Sequence, residues 1–382
     1  MMLPFALLMT ILIVCCAVLP LKLKGYIKFL LALPILAATL KFEFIRLFGG
    51  PMFFAPDMPV WLLQVMNYLH LTAFFWLFGL LASTLCRGVV WAVYKFRKRS
   101  MPERWGKRWF YANLTLLLLA MIFAAWGMYN ASAMPSVKHV ELKFAALPSQ
   151  AENCRIAVLA DLHIDRGTDL RRLCKIVNTV NTLQCDLVVL PGDMVDGSEA
   201  ELGGSTLFLG RLRARYGVYG IMGNHEYFSG GMVWRDHFNN LGITMLLNEQ
   251  ILLPNGIYLA GITDPAAKRL QQAGAMPDLK STLRGIEPGE FTLLLAHRPG
   301  DGPNAADAGV DLQISGHTHG GMIWGFDRVV ARYNNGFVSG SYQIKDMQLY
   351  VSNGTGIWRG FPIRMGRGSE ITVITLKKDH TK

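Results

Sequence analysis

The sequence predicts a helical membrane region of about four spans followed by an α/β domain. Three observations carry this prediction: long apolar stretches crowd the first 135 residues, the excess positive charge is concentrated among them, and the remaining residues alternate strand-like runs with helical periodicity. At 382 residues and 52% hydrophobic, the chain is too long for one ordinary domain and too apolar for an ordinary soluble one. Residues 1–135 are therefore expected to form a transmembrane domain and residues 136–382 a separate catalytic-type domain.

Four stretches approach the ~20 apolar residues needed to cross hydrocarbon: 3–21, 26–40, 60–94 and 110–128. The second is short and contains Pro34, and the third is longer than one crossing needs. Residues 1–135 hold 13 Lys and Arg against 3 Asp and Glu, whereas residues 136–382 hold 25 against 24. The basic residues fall in short loops, with Lys22, Lys24 and Lys28 after the first stretch and Lys95, Arg97, Lys98, Arg99, Arg104, Lys107 and Arg108 between the third and fourth. That is a topology signal rather than a nucleic-acid face, so no nucleic-acid binding is expected. Both basic loops should be cytoplasmic, which places the second half on the periplasmic or extracytoplasmic side. The first stretch has no preceding basic residue and no A-x-A-like site, and Val14 precedes Cys15 where a lipoprotein signal requires a small residue, so it is read as a retained span.

In the second half, 155–160 reads as a buried strand, and Leu170, Leu173, Ile176, Val177, Val180 and Leu183 then recur at helical spacing. Further strands are expected at 186–190, 218–222, 257–262, 291–296, 311–315 and 349–352. Five of these seven runs lead into a polar cluster: Asp161-Leu-His163, Gly192-Asp193, Gly223-Asn224-His225-Glu226, His297, and Gly316-His317-Thr318-His319-Gly320-Gly321. Ligands of open α/β sheets bind at the carboxyl ends of strands, so these clusters should converge.

Asp161, His163, Asp193, Asn224, His297, His317 and His319 offer a mixed oxygen and imidazole set that suits Mn, Fe or Zn, with Mn placed first, rather than a calcium or magnesium cage. These groups exceed the needs of one ion, and a carboxylate can bridge two divalent ions about 3.5–4 Å apart. Gly192, Gly223 and Gly316 each precede a candidate ligand at the turn leaving a strand, where glycine permits close backbone approach. A lone histidine is usually structural, but five of the nine histidines fall in this one pattern, which favours a common site. Asp196 and Glu226 are candidates to orient the imidazoles, with surface solvation the competing reading, and Arg298 is a candidate contact for a substrate phosphate. The six cysteines show no CxxC and no regular spacing, so neither a disulfide framework nor a zinc knuckle is expected.

The order DLH, GD, GNHE, H, GHTHGG resembles the calcineurin-like metallophosphoesterases, and more closely their bacterial membrane-associated branch. The resemblance covers roughly residues 150–375 and includes a tail-like stretch at 352–356, 362–364 and 370–371. It implies a four-layer α/β/β/α sandwich in a bacterial inner or plasma membrane protein. A first metal would be held by Asp161, His163 and His319, a second by Asn224, His297 and His317, and Asp193 would bridge them. It also implies that His225 faces the substrate and protonates the leaving oxygen, with Asp193 and Asn224 sharing the catalytic centre. The expected chemistry is hydrolysis of a phosphate ester or pyrophosphate by metal-activated water. A lipid-linked substrate at the bilayer is the leading expectation. Soluble nucleotides or sugar phosphates are the alternative substrates, and a metal-binding membrane scaffold without turnover is the non-enzymatic alternative.

Overall fold

The computed structural model describes residues 2–50, 52–102, 104–270 and 276–380, and the chain divides into two units. One comprises the described residues up to Tyr129 together with Gly360–Ile363, and the other comprises Asn130–Arg359 and the residues from Arg364 onward.

The first unit is helical. Helix α1 (Met2–Ile13) widens into a π turn at Val14–Val18 and is followed by α2 (Gly25–Thr39), α3 (Lys41–Phe48), α4 (Val60–Phe96) and α5 (Arg104–Ser132). All four predicted stretches are helical, and among the described residues α4 and α5, of 37 and 29 residues, are the two helices long and apolar enough to cross a membrane. At about 1.5 Å per residue, the 15 residues of α2 cover only about 23 Å of a roughly 30 Å hydrocarbon layer. Two of the four expected spans are thus helices of spanning length, and the other two are shorter apolar helices. His70 is buried in α4, and its Nδ1 donates to the Ala38 carbonyl at 3.0 Å, as expected of a hydrogen-bonded neutral imidazole.

The second unit is built on two six-stranded mixed sheets. One runs in the order β1 (Ser136–Phe144), β12 (Glu370–Lys378), β2 (Arg155–Val158), β3 (Leu187–Pro191), β4 (Val218–Ile221), β5 (Thr244–Met245). The other runs β10 (Gly340–Ile344), β11 (Met347–Val351), β9 (Leu312–Ser315), β8 (Thr292–Leu295), β7 (Tyr258–Gly261), β6 (Glu249–Leu252). Each of the seven predicted strands overlaps one of these. The consecutive parallel pairs β2–β3, β3–β4, β7–β8 and β8–β9 point their carboxyl ends the same way within each sheet.

Alternation along these strands decides the layering. Ile156, Val158, Leu187, Val189 and Ile221 of the first sheet meet Leu259, Leu293, Leu295, Leu312 and Ile314 of the second in one fully buried core. The opposite face of the first sheet, through Ala157, Val188 and Leu190, is covered by α6 (Leu170–Thr182), α7 (Glu199–Thr206) and α9 (Met232–Asn240). Ala260, Leu294 and Val351 cover the outer face of the second sheet and pack with Ala305 of a short helix. The result is helix, sheet, sheet, helix. Between α7 and α9 lies α8 (Asn224–Phe228), one short turn directly after β4.

The ladder does not stop where the strands end. Asp161 N–H donates to Gly192 O at 3.1 Å and His163 N–H to Asp193 O at 3.0 Å, so the β2 and β3 exits run side by side. Asp161, His163, Asp193, His317 and His319 all adopt positive φ, between 45° and 71°, a region that non-glycine residues enter at a cost of roughly 1–3 kcal/mol each. Nothing in their local sequence asks for it. The surrounding packing holds the backbone there and turns these side chains inward.

Candidate metal centre

Three groups of side-chain atoms converge at the strand ends, each within 4.8 Å: Asp161, His163 and His319; Asp193, His297 and His317; and His163, Asp193 and His225. All are buried except His317, which is half-buried. The Nε2 atoms of His163 and His319 lie 3.0 Å apart, and Nε2 of His297 lies 3.2 Å from Nδ1 of His317 and 3.2 Å from Oδ1 of Asn224. Asp193 Oδ2 lies 3.2 Å from His297 Nε2 and 3.9 Å from His163 Nε2, between the two groups.

The outer nitrogens decide what these inner ones can do. His163 Nδ1 donates to Asp196 Oδ1 at 2.9 Å and His297 Nδ1 to the Pro191 carbonyl at 2.8 Å. In the neutral rings this leaves a lone pair on each Nε2, directed at another ligand atom. Two ligands about 2.1 Å from one cation stand roughly 3.0–3.4 Å apart, the spacing seen here. The donor set, with the tautomers of His163 and His297, therefore fits coordination of divalent metal.

Asp161 accepts the His317 N–H on Oδ1 at 2.9 Å and on Oδ2 at 3.1 Å, tying the β2 exit to the β9 exit. Asp193 Oδ1 accepts the His225 N–H at 2.9 Å, which leaves Oδ2 facing the imidazoles. A Cβ on Gly223 would lie 2.2 Å from Asp193 Oδ1, so the close approach of β4 to the β3 exit requires glycine.

Asp196 and Glu226 turn out to do different work. Asp196 Oδ1 accepts from Nδ1 of both His163 and His225, at 2.9 and 2.6 Å, so one buried carboxylate orients both rings. Glu226 binds backbone where the sequence suggested an imidazole partner. Its Oε2 accepts the N–H groups of Asp193 and Gly223 at 2.9 and 2.7 Å, and its Oε1 those of Met194 and Val195 at 2.6 and 2.9 Å. Being the third residue of α8, it reaches back past the helix start and binds the adjoining strand exit. Arg298 is held in a fork by Asp264, with Nε to Oδ2 at 2.7 Å and an NH2 to Oδ1 at 3.0 Å, so its guanidinium is fixed by that carboxylate. Sequence reasoning passed over Trp358, whose ring centroid lies 6.1–6.5 Å from those of His163, His225 and His319. It also gave no role to Arg364, which is buried and donates to the carbonyls of His319 and Asn353 at 2.5 and 2.6 Å. The signal for both was an arginine and a tryptophan within a glycine-rich segment after the last predicted strand.

Burial alone would raise the Asp193 carboxyl, but His297, His225 and His163 hold it well below the usual carboxylate range. Burial works against the charged form of His297 and His225, yet Asp193 and the other carboxylates raise them to about 10 and about 9. Burial, reinforced by His297, drives His317 down to about 3. Without metal, His297 is therefore protonated at neutral pH, and a cation must displace that proton to reach Nε2. Mn²⁺ uptake at about pH 7.5 is expected to release close to one proton per chain or more. Calorimetric heats that do not change with the ionisation enthalpy of the buffer would contradict this.

Two sheets packed face to face, with histidine and aspartate donors gathered at their strand ends, define a metal-binding α/β sandwich. The calcineurin-like phosphoesterase model matches residues 154–321, which contain every candidate ligand. An uncharacterized metallophosphoesterase of Helicobacter pylori is 32% identical over 261 residues, covering 68% of each chain. The transmembrane proteins with metallophosphoesterase domain of Danio rerio and Bos taurus are 32% and 33% identical, covering 74% and 68% of this chain. The chain spans 66% and 61% of the length of those two relatives. It belongs to the calcineurin-like phosphoesterase family.

Proposed function

We propose that this protein is a membrane-anchored hydrolase of phosphate esters or pyrophosphates that works with two divalent ions. The observation that carries the reading is the pairing of inner ring nitrogens at 3.0 and 3.2 Å around one Asp193 oxygen, with the outer nitrogens tied elsewhere. Asp161, His163 and His319 would hold one ion, Asn224, His297 and His317 the other, and Asp193 both. Bound ions supply a lowered water pKa and neutralise charge on the phosphoryl oxygens. Mn heads the set of Mn, Fe and Zn.

The chain's own residues supply the rest. In the metal-free chain Asp193 and Asp196 raise His225 to about 9, so its charged ring carries a proton on each nitrogen. Asp196 fixes its Nδ1, so Nε2–H is the proton offered to the departing oxygen. Asn224 and His225 open α8 and Asp193 accepts the His225 amide, so acid and bridging carboxylate move as one rigid piece. Arg298, steadied by Asp264, would contact a substrate phosphate.

The two helices of spanning length and the relatives named as transmembrane proteins support a substrate at the membrane, and we take it to be lipid-linked. Side follows from the basic loop between α4 and α5: if that loop is cytoplasmic, the sandwich after α5 is extracytoplasmic, however α1 and α2 lie. The cysteines accommodate an oxidising compartment, because Cys154 and Cys185 are buried and burial pushes the Cys154 thiol up to about 12.

Detergent-solubilised protein with Mn²⁺ is expected to hydrolyse both bis-p-nitrophenyl phosphate and an amphipathic phospholipid, and His225→Ala to lower kcat on both by roughly 10²-fold or more. Unchanged kcat in His225→Ala would remove its assigned role. A truncation beginning near Ser136 that keeps full activity and prefers soluble nucleotides or sugar phosphates would replace the lipid reading with the soluble one.

A further inference from the structure

Between β11 and β12 the chain makes an excursion that nothing in the metal chemistry requires. Its first part is fastened to the DLH turn: Thr355 N–H donates to Ala160 O at 2.7 Å and Gly356 N–H to Asp161 O at 3.0 Å. A Cβ on Gly356 would fall 1.9 Å from the Leu162 carbonyl, so the two backbones lie flush. Three residues on, Arg359 pairs through Nε with Asp165 Oδ2 at 2.6 Å and also donates to the Gly167 carbonyl. Trp358 is thus held between two clamps on the segment that carries His163. It lies parallel to His319, at 20° and 6.1 Å, and perpendicular to His225, at 90° and 6.2 Å.

An indole in this place has no lone pair for a cation and no proton to exchange at neutral pH. What it offers is a broad apolar face, and the ring is half-buried rather than enclosed. Phe228, also half-buried, lies 6.0 Å from His225 at the far end of α8. The imidazole read above as the acid for the departing oxygen therefore has aromatic neighbours on two different segments. Trp358 and Phe228 thus bring apolar surface to that imidazole, beside the Arg359–Asp165 ion pair.

We propose that Trp358 is the specificity-determining wall of a leaving-group subsite, selecting phosphate compounds whose departing group is apolar or planar. This rests on the hydrolase reading only for the word leaving; the recognition itself can be measured without turnover. Full-length protein in lipid nanodiscs, loaded with Mn²⁺, would be titrated with two inert ligands, phenylphosphonate and methylphosphonate. The unaltered chain is expected to bind the phenyl compound about tenfold more tightly, equivalent to about 1.4 kcal/mol. Trp358→Ala should bring the two affinities within twofold, Trp358→Phe should keep most of the preference, and Mn²⁺ content should stay that of the unaltered chain. Absence of a phenyl preference in the unaltered protein, its survival in Trp358→Ala, or loss of Mn²⁺ from that variant would each overturn the proposal. Turnover of bis-p-nitrophenyl phosphate, followed in parallel, judges the hydrolase reading separately, since binding selectivity can stand where turnover fails.

Discussion

Asp193→Asn is expected to lower kcat/KM on any phosphate ester by on the order of a thousandfold or more, about 4 kcal/mol of transition-state stabilisation, and to reduce bound metal. Asp193 is the one carboxylate whose oxygen stands near imidazoles of both proposed metal positions, and its other oxygen is already engaged by the His225 amide. An amide keeps the size but loses the charge that two cations would share. The metal-free protein should feel the change as well, because Asn leaves the His297 imidazolium buried without its main partner, a loss of about 3–5 kcal/mol for a broken buried pair. The pH dependence has a definite sign. His297, raised to about 10, contributes stability that is complete below its unfolded value near 6.5 and is lost as pH rises through about 10. Asp193, held low, contributes above its unfolded value near 3.8 and loses that contribution as pH falls through its folded value. The Tm gap between unaltered and Asp193→Asn apoproteins should therefore be widest at about pH 5–6 and close progressively above it. Activity retained in the variant, or a gap that grows toward alkaline pH, would overturn the assignment.

Glu226→Gln is expected to damage the same centre without touching a candidate ligand. The native carboxylate receives four backbone N–H groups, two on each oxygen, and glutamine can accept on one oxygen only. Two buried amides would then face an NH2 group that cannot accept from them, at a cost of roughly 3 kcal/mol. For a domain of this size that corresponds to a Tm lower by about 6–12 °C. Burial and then Asp193 push Glu226 up to about 7, so the comparison belongs near pH 8, where the carboxylate is ionised. Because either pair of amides includes that of Asp193 or those of the residues directly after it, Mn²⁺ affinity should fall together with Tm. A variant with unchanged Tm and unchanged metal binding would show that the four contacts contribute nothing.

Much of this architecture was legible from residue order because seven strands are short, apolar and buried on both faces, and five of them end in polar clusters. The missed strands had physical reasons to be missed. β5, β6 and β10 lie at or near sheet edges, and their sequences, such as Glu249-Gln-Ile-Leu252, mix polar residues into short runs. β12 is buried and central, yet it lies between β1 and β2 and runs antiparallel to β2, a return that no local pattern announces. In the helical half, composition located the apolar stretches, but a run of apolar residues does not fix where each helix ends. Within the centre, residue types pointed to the ligands, whereas the split between Asp196 and Glu226 depends on which way α8 leaves β4. The clamps on Trp358 depend on a return of the chain from nearly two hundred residues away.

The candidate ligands are spread from Asp161 to His319 and hang from strands of both sheets, so no short segment contains a chelating pocket of its own. Cations consequently arrive as passengers of a finished scaffold and cannot serve as seeds for its assembly. Metal-free protein is therefore expected to give the circular dichroism spectrum of the loaded protein, with Mn²⁺ alone sufficient to load it.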